Sequence, residues 1–429
     1  MKLDWRRWAI LAGGFTLFLL YAYPGFKSPD SDHQLWQARQ GVYGDWHPPM
    51  MAWLWHYTDK LISGPLGMLL LQSATFLLGV EGIARRYMSP MKAAFVAVAI
   101  LLFPPVLTPM AVIWKDSQMA GYLLAATACF MSPRRGWKIA GCVLVVLATG
   151  VRHNGLAATL PIVVLLFTWR DTWTGWRRYA LSFAVWVAIT FTAGRINKAL
   201  TDSNDYPWHN SVAMFDIAGT VRFSTIRDDA KLRELLEGAP LVVVSDIKAK
   251  VEKVYSPNGH YYLTHDNNRV FDLPRLDQME GVKRAWLRAL TTQPRAFLVH
   301  RLRVFREALA AGGGPVFGSV WHGDPFPTST PIQEAWINTM LKLKDTWLFR
   351  PWIYLVLLFA VLAMCRSRVV LALTASGLFC ELSLLAAAPS PDYRYSHWMI
   401  AATLIAAVMT FVERYREGRS RSTSSPALR

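Results

Sequence analysis

Residues 8–23 read WAILAGGFTLFLLYAY, and residues 27–50 read KSPDSDHQLWQARQGVYGDWHPPM. The first stretch is apolar almost throughout, as is typical of a helix that crosses a lipid bilayer. Residues 1–23 have the basic start and apolar core of a secretory signal peptide, but no small-x-small cleavage site follows them. They therefore predict an uncleaved first membrane span, with a loop rich in acids and histidines directly behind it.

Further apolar runs decide the fold class. Several of them reach about 15–20 residues, which is close to the length that a helix needs to cross the hydrocarbon core. They lie at 65–84, 93–108, 117–132, 138–151, 156–169, 178–196, 351–365, 369–388 and 398–412. The chain has 429 residues, of which 53% are hydrophobic and 17% charged. We predict an all-α polytopic membrane protein with about ten transmembrane helices.

Charged residues alternate between the two sets of loops that connect these runs. One set is basic in every member: 6–7, 85–92, 134–138, 170–178, 366–368 and the tail from 414. Short basic loops face the cytoplasm in membrane proteins, so both termini are predicted to be cytoplasmic. This pattern accounts for the net charge of +17 without a nucleic-acid partner.

The other set of loops carries the distinctive polar residues and is predicted to face outward. Residues 48–63 predict a helix lying in the membrane interface, and PLVVVSD at 240–246 predicts a strand in a soluble segment of mixed structure. The predicted domains are an N-terminal transmembrane module at 1–196 with its first outer loop at 24–64, the soluble outer segment at 197–350, C-terminal transmembrane helices at 351–412, and a disordered basic tail at 413–429.

Three carboxylates of the first outer loop are the candidate catalytic residues. Asp30 and Asp32 stand two residues apart, and Asp45 follows in DWHPP. Carboxylates near a membrane surface can act as a general base, hold a divalent metal ion, or do both. The alternative is a solvated loop with incidental acids. His33 and His47 lack the spacing of zinc ligands, so ordinary hydrogen bonds are favoured for them.

Two short outer motifs supply cations. In WKDS, Lys115 and Asp116 either cap an interfacial helix or contact a phosphate through Lys115, with Asp116 orienting the phosphate or a sugar. In RHNG, Arg152, His153 and Asn154 interrupt two apolar runs with very little loop. Ionisable groups so close to hydrocarbon are costly and favour a functional role, although Arg152 could instead extend to the lipid headgroups.

A third outer motif, PDYRYSHW at 391–398, precedes the last apolar run. Arg394 is a candidate phosphate partner, because a guanidinium binds phosphate through two parallel hydrogen bonds. The alternative is an aromatic belt at the membrane interface. Glu381 lies in the middle of an apolar run and is predicted to face a cavity or a partner, without an assigned role.

These motifs together resemble the GT-C superfamily of membrane glycosyltransferases, which includes protein O-mannosyltransferase-like and aminoarabinose-transferase-like enzymes. The likeness covers roughly residues 1–200 and rests on the seven apolar runs before a soluble outer segment and on short motifs. Those motifs are Asp30-Ser31-Asp32-His33-Gln34, Asp45 to Pro49, Lys115-Asp116, and Arg152 to Gly155. The first-loop signature of better-known members is often Asp-Glu, and here no Glu follows either Asp, which leaves the identity of the base open.

The resemblance implies an inverting transfer of a sugar from a polyprenyl phosphate to a hydroxyl of a cell-surface glycan, lipid A or protein. It implies a bacterial inner membrane location with the site on the periplasmic face. Asp30 would be the base, with Asp32 and Asp45 as alternates or as ligands of a divalent metal ion. The phosphate would be held by Lys115, Arg152 and Arg394, while Trp46, His47, Asp116 and Asn154 would line the substrate site.

Two other classes of function remain open from the sequence. A transporter or flippase for a lipid or polar solute, without covalent chemistry, requires intramembrane charges and pseudo-symmetric halves. Glu381 is such a charge, but the two halves of this chain do not match. A non-catalytic membrane scaffold, whose outer segment binds a partner, is the third possibility.

Overall fold

A computed structural model describes residues 4–167, 175–243, 245–265, 267–323 and 329–423, with the side chains of 420–423 left out. All regular structure in these ranges is helical, and they contain no strand, which confirms the predicted all-α class. The first ten helices are α1 Trp5–Ala22, α2 Pro29–Gln40, α3 Met50–Leu61, α4 Leu66–Ala84, α5 Pro90–Leu101, α6 Pro104–Ala111, α7 Lys115–Phe130, α8 Arg135–Gly150, α9 Gly155–Val164 and α10 Trp176–Leu200.

The remaining α-helices follow in two groups. The first group is α11 Met214–Phe223, α12 Asp229–Leu235, α13 Ile247–Val254, α14 Tyr261–His265, α15 Met279–Thr292 and α16 Pro294–Ala308, preceded by a π-helix at Trp208–Ala213. The second group is α17 Pro331–Leu343, α18 Pro351–Met364, α19 Arg368–Ala387 and α20 His397–Thr423. Short 3₁₀ turns lie at Leu165–Phe167, Leu276–Gln278, Trp347–Phe349 and Tyr393–Ser396.

Each predicted apolar run falls largely within helix; the run 93–108 is divided between α5 and α6, and residues 168–169 lie outside the described ranges. Four described helices are long and apolar enough to cross a membrane by themselves: α4, α10, α19 and α20 with the turn before it. The bent pair α5 and α6 raises that number to five if it forms one broken span. The chain therefore carries several apolar helices, and the count of ten spans stays a prediction.

The pair α5 and α6 is bent by 70°. Pro104 begins α6, and proline neither donates a backbone hydrogen bond nor tolerates a preceding helical residue well, so the helix breaks in front of it. The backbone at the end of α6 and just after it is held by a side chain of another helix. Gln72 of α4 donates its amide to the carbonyls of Met110 and Val112 at 2.8 Å each. Such side-chain donors are required where non-helical backbone is buried.

The first outer loop is largely helical. Ser28 caps α2: its hydroxyl accepts from the Ser31 N–H, and the Ser31 hydroxyl accepts from the Ser28 N–H. Pro29 occupies the first helical position, where its missing N–H costs nothing. The predicted helix over 48–63 is confirmed as α3, and its place at the membrane interface stays a prediction.

The last quarter of the chain holds the end of α1 in place. Gln333 of α17 is buried and donates its side-chain amide to the carbonyls of Tyr21 at 2.9 Å and Tyr23 at 2.7 Å. Trp321 donates its ring N–H to the Lys27 carbonyl at 2.9 Å. Two distant segments thus fix the backbone directly in front of α2.

The chain folds into two compact units. The first contains residues 1–202, 318–381 and 396–429, and the second contains 203–317 with 382–395. The second unit therefore takes most, but not all, of the predicted segment 197–350. The last helix, α20, runs to Thr423, so residues 413–423 are helical rather than disordered, and the rest of the predicted tail lies outside the described residues.

The predicted strand over 240–246 is wrong, with Val244 outside the described residues. Leu241 and Phe271 form one isolated antiparallel bridge, with Val242 donating to the Val270 carbonyl at 2.9 Å. Pro240 has no N–H to give to a ladder, and the helices α13 and α14 begin nearby, so the pairing does not extend. The predicted mixed structure of this segment is replaced by helices.

A buried carboxylate organises the second unit. Asp216 of α11 accepts hydrogen bonds from the ring N–H of Trp286 at 2.7 Å and from Nε2 of His300 at 3.1 Å. It also forms an ion pair with the guanidinium of Arg301 at 2.6 Å. Asp216 and His300 have no exposed surface. Burial lowers the pKa of His300, so Arg301 supplies the balancing charge. Arg301 also donates to the Ala388 carbonyl at 2.9 Å, which ties 382–395 to this unit.

Candidate active site

Three of the predicted outer motifs meet in the first unit. Lys115 Nζ lies 2.7 Å from Nδ1 of His47, and Nε2 of His47 lies 3.6 Å from an oxygen of Asp30. Because the ammonium of Lys115 can only donate, Nδ1 of His47 accepts and its proton sits on Nε2, facing Asp30. DWHPP, WKDS and the acidic start of α2 therefore form one connected cluster.

The start of α2 is fastened to the backbone that leads into α7. Ser31 donates its hydroxyl to the Ile113 carbonyl at 2.8 Å, and Trp114 donates its ring N–H to the Ser28 hydroxyl at 2.8 Å. The Ile113 N–H also donates to the Phe26 carbonyl at 2.9 Å. Asp30 sits in the first turn of α2 and Lys115 is the first residue of α7, so these bonds set the distance between carboxylate and cation.

Arg152 and Asp116 form a buried ion pair behind this cluster. Asp116 lies in the first turn of α7 and Arg152 directly after α8, and their side chains are 1% and 7% exposed. The charge of Arg152 also acts on Glu381 of α19 and on His397, the first residue of α20. Since a carboxylate already neutralises Arg152, Lys115 is the better placed of the two cations to meet a ligand.

His153 lies between the two predicted motifs DWHPP and WKDS. The Trp46 backbone hydrogen-bonds to its ring, and the charges of Asp45 and Lys115 act on it. Protein atoms surround much of its ring, although the residue as a whole is exposed to solvent. Burial, with the positive charge of Lys115, lowers the pKa of His153 to about 4.

The lowered pKa of His153 predicts an acid-sensitive fold. Below a pH of about 6.5 the unfolded chain binds a proton at this position that the folded chain does not bind until the pH approaches about 4. Stability should therefore fall as the pH drops through this window, and His153→Gln should lose less. Thermal unfolding in detergent at a series of pH values measures this. Identical pH profiles for the two proteins would contradict it.

The structure separates Asp30 from its neighbour Asp32. Asp32 points to Lys27, with which it pairs, and its side chain is 56% exposed, against 29% for Asp30. The ring of His33 lies 6.3 Å from the ring of His47, so His33 stands at the margin of the cluster. Of the first two acids, Asp30 is therefore the one that lies beside His47.

Two further candidates take other positions. Asn154 directly precedes α9, and its carbonyl accepts from the Ala157 N–H at 3.0 Å. Arg394 belongs to the second unit, where it pairs with Asp392 at 2.9 Å. In the described part of the chain, no three His, Cys, Asp or Glu side chains come together to hold a metal ion. A divalent cation held by Asp30, Asp32 and Asp45 thus gains no support.

Sequence reasoning did not place Glu381 and His397 in the site. Both are fully buried; Glu381 accepts a hydrogen bond of 2.9 Å from the Ser396 hydroxyl, and the His397 ring stacks on Phe76 at 6.3 Å. The signal for Glu381 was its place in an apolar run, which calls for a charged partner. Arg152, whose charge acts on Glu381, is more than 200 residues away in sequence, beyond the reach of any local pattern.

No protein-family model and no curated protein matches the chain. Among solved structures, the chain is similar to ArnT from Cupriavidus metallidurans bound to undecaprenyl phosphate. The identity is 16%, the match covers 96% of this chain and 78% of the other, and the TM-score is 0.36. The apo structure of the same protein matches with the same values. At this identity and TM-score the likeness carries no argument about the family or the site of this chain.

Proposed function

We propose that this protein is a membrane glycosyltransferase that moves a sugar from a polyprenyl phosphate to a hydroxyl acceptor. The observation that carries the proposal is the contact of Asp30, His47 and Lys115, which puts a carboxylate and a cation on either side of one histidine. A transfer of this kind needs both: a base for the acceptor and a positive group for the departing phosphate.

In the proposed reaction the Asp30 carboxylate takes the proton of the acceptor hydroxyl. The acceptor oxygen then attacks the anomeric carbon from the face opposite the phosphate, which inverts the configuration. The bond between that carbon and the phosphate oxygen breaks, and the polyprenyl phosphate leaves with the electron pair. Lys115 stabilises the charge that grows on this phosphate.

His47 and Arg152 support the two reacting groups in this proposal. The Nε2–H of His47 faces the Asp30 carboxylate at 3.6 Å, while Nδ1 accepts from the ammonium of Lys115 at 2.7 Å. Arg152, paired with Asp116, fixes the start of α7 on which Lys115 stands. Asp45 and Trp46 interact with His153, and we propose that they line the sugar site.

The same proposal places the protein in a bacterial inner membrane with this site on the periplasmic face. The apolar helices and the basic loops on the opposite set of connections support it. A lipid-linked donor explains why the site lies at the end of apolar helices. The acceptor is a hydroxyl of a surface glycan, of lipid A or of a protein, and mass spectrometry of all three, with and without the gene, would identify it.

Lys115→Gln tests the role of the cation. Removing one charge-assisted contact to phosphate should weaken the binding of polyprenyl phosphate by roughly tenfold or more. The measurement is a titration of the purified protein in nanodiscs with undecaprenyl phosphate. Lys60→Gln is the matched control, because Lys60 is an exposed lysine at the end of α3 with no contact to the cluster.

Two outcomes would count against the proposed function. Equal binding by Lys115→Gln and Lys60→Gln would remove Lys115 from the phosphate site. Movement of the lipid across a proteoliposome membrane, with no covalent sugar product, would favour a flippase instead.

A further inference from the structure

A cavity of about 780 Å³ lies in the first unit, at the ends of α7 and α8 opposite the candidate active site. Lys115 begins α7, whereas Cys129 near its end lines the cavity. At 1.5 Å per helical residue, these positions are roughly 20 Å apart. Likewise Trp137 near the start of α8 lines the cavity, while Arg152 follows its end. This cavity is therefore separate from the proposed chemistry.

Four guanidinium groups and one carboxylate line this cavity. Arg7 holds both oxygens of Glu81, at 2.6 and 2.8 Å, and Arg85 lies 3.6 Å from the same carboxylate. Arg86 and Arg134 are exposed, and no acid among the described residues pairs with either side chain. The cavity thus has an excess of positive charge at its edge.

The other walls of the cavity are apolar and built from small residues. Leu78 and Leu144 contribute longer side chains, and Ala125, Ala128 and Ala140 leave room between α4, α7 and α8. The helices α4 and α7 approach closely beside it: a Cβ at Gly79 would come within 2.6 Å of the Ala125 backbone nitrogen. Their packing therefore fixes one wall of the cavity.

We propose that this cavity binds an anionic phospholipid, with the phosphate headgroup on Arg86 and Arg134 and an acyl chain along the alanine wall. Arginine recognises phosphate through parallel hydrogen bonds, and basic pockets between membrane helices suit anionic headgroups. A zwitterionic lipid would bring an ammonium group to the same arginines, so it should bind less well. The basic loops 85–92 and 134–138 place the site in the leaflet opposite the donor.

Native mass spectrometry of the full chain tests this proposal. The protein is extracted from nanodiscs of phosphatidylglycerol and phosphatidylcholine, and the retained lipid is counted. The wild type should retain phosphatidylglycerol in preference to phosphatidylcholine, and R86Q/R134Q should bind phosphatidylglycerol roughly tenfold more weakly. Ala140→Trp should have the same effect, because it fills the apolar wall and leaves every arginine in place.

The control is R177Q/R416Q, which removes two exposed arginines that do not line the cavity. It should retain lipid as the wild type does, because the net charge alone does not make the site. Equal retention by R86Q/R134Q and the control would overturn the proposal. Full displacement of phosphatidylglycerol by millimolar inorganic phosphate would also overturn it, because a lipid that is held by its acyl chain as well as by its phosphate should resist this competition.

Discussion

Asp30→Asn is expected to lower the rate of sugar transfer by about two to four orders of magnitude, which is the usual contribution of a general base. The amide is nearly the same size as the carboxylate and presents an oxygen to Nε2 of His47 as the carboxylate does, so the cluster should keep its shape. Donor binding should change little, because the cation Lys115 stays. The measurement is single-turnover transfer from a polyprenyl phosphate sugar, with donor binding titrated separately.

Asp32→Asn is the matched control for Asp30→Asn. It makes the same chemical change two residues along α2, on a side chain that is exposed and paired with Lys27. This variant should transfer sugar at nearly the wild-type rate. If Asp32→Asn were as slow as Asp30→Asn, the assignment of the base to Asp30 would be wrong. If both retained the full rate, Asp45 would be the remaining candidate base.

Asp216→Asn is expected to destabilise the second unit by about 3–5 kcal/mol. The substitution leaves the guanidinium of Arg301 buried without a compensating charge, and it weakens the hydrogen bonds of His300 and Trp286. Hydrogen exchange measured by mass spectrometry should show lost protection in α11, α15 and α16.

Glu252→Gln is the control variant for Asp216→Asn. It breaks an ion pair in the same unit, with Arg222 at 2.7 Å, but both side chains are about two-fifths exposed. An exposed pair contributes about 0–1 kcal/mol, because water already solvates both charges. Similar changes in protection for the two variants would show that burial of Asp216 does not set the stability of this unit.

Most of the fold could be predicted from hydropathy. The apolar runs are long, and a chain with so many apolar residues can form few structures other than apolar helices. The break before Pro104 and the helix α2 also had local signals: Phe-Pro-Pro in the first case, and Ser28-Pro29-Asp30 in the second. The strand at 240–246 failed because β-branched residues favour a strand only where a partner strand exists. Here the neighbouring segments are helical.

The site could be predicted only in part. The alternating loop charges predict that the motifs lie on one side of the membrane, but no pattern gives the distance between His47 and Lys115, which are 68 residues apart. The choice between Asp30 and Asp32 needed one more fact, namely that both lie on a helix. Successive residues turn by about 100° in an α-helix, so two residues apart point in nearly opposite directions. Only one of the pair can therefore face His47.

Because of Gln333, the segment that leads into α2 can reach its final structure only late in synthesis. Its amide holds the carbonyls of Tyr21 and Tyr23, which are made 312 and 310 residues earlier. At about 5–20 residues per second, the ribosome completes Gln333 roughly 15 to 60 seconds after those tyrosines. The backbone in front of Asp30 therefore reaches its final bonding only when three quarters of the chain has been made. A nascent chain lacks this anchor throughout that interval, so the segment that carries Asp30 reaches its final structure late although it is translated early.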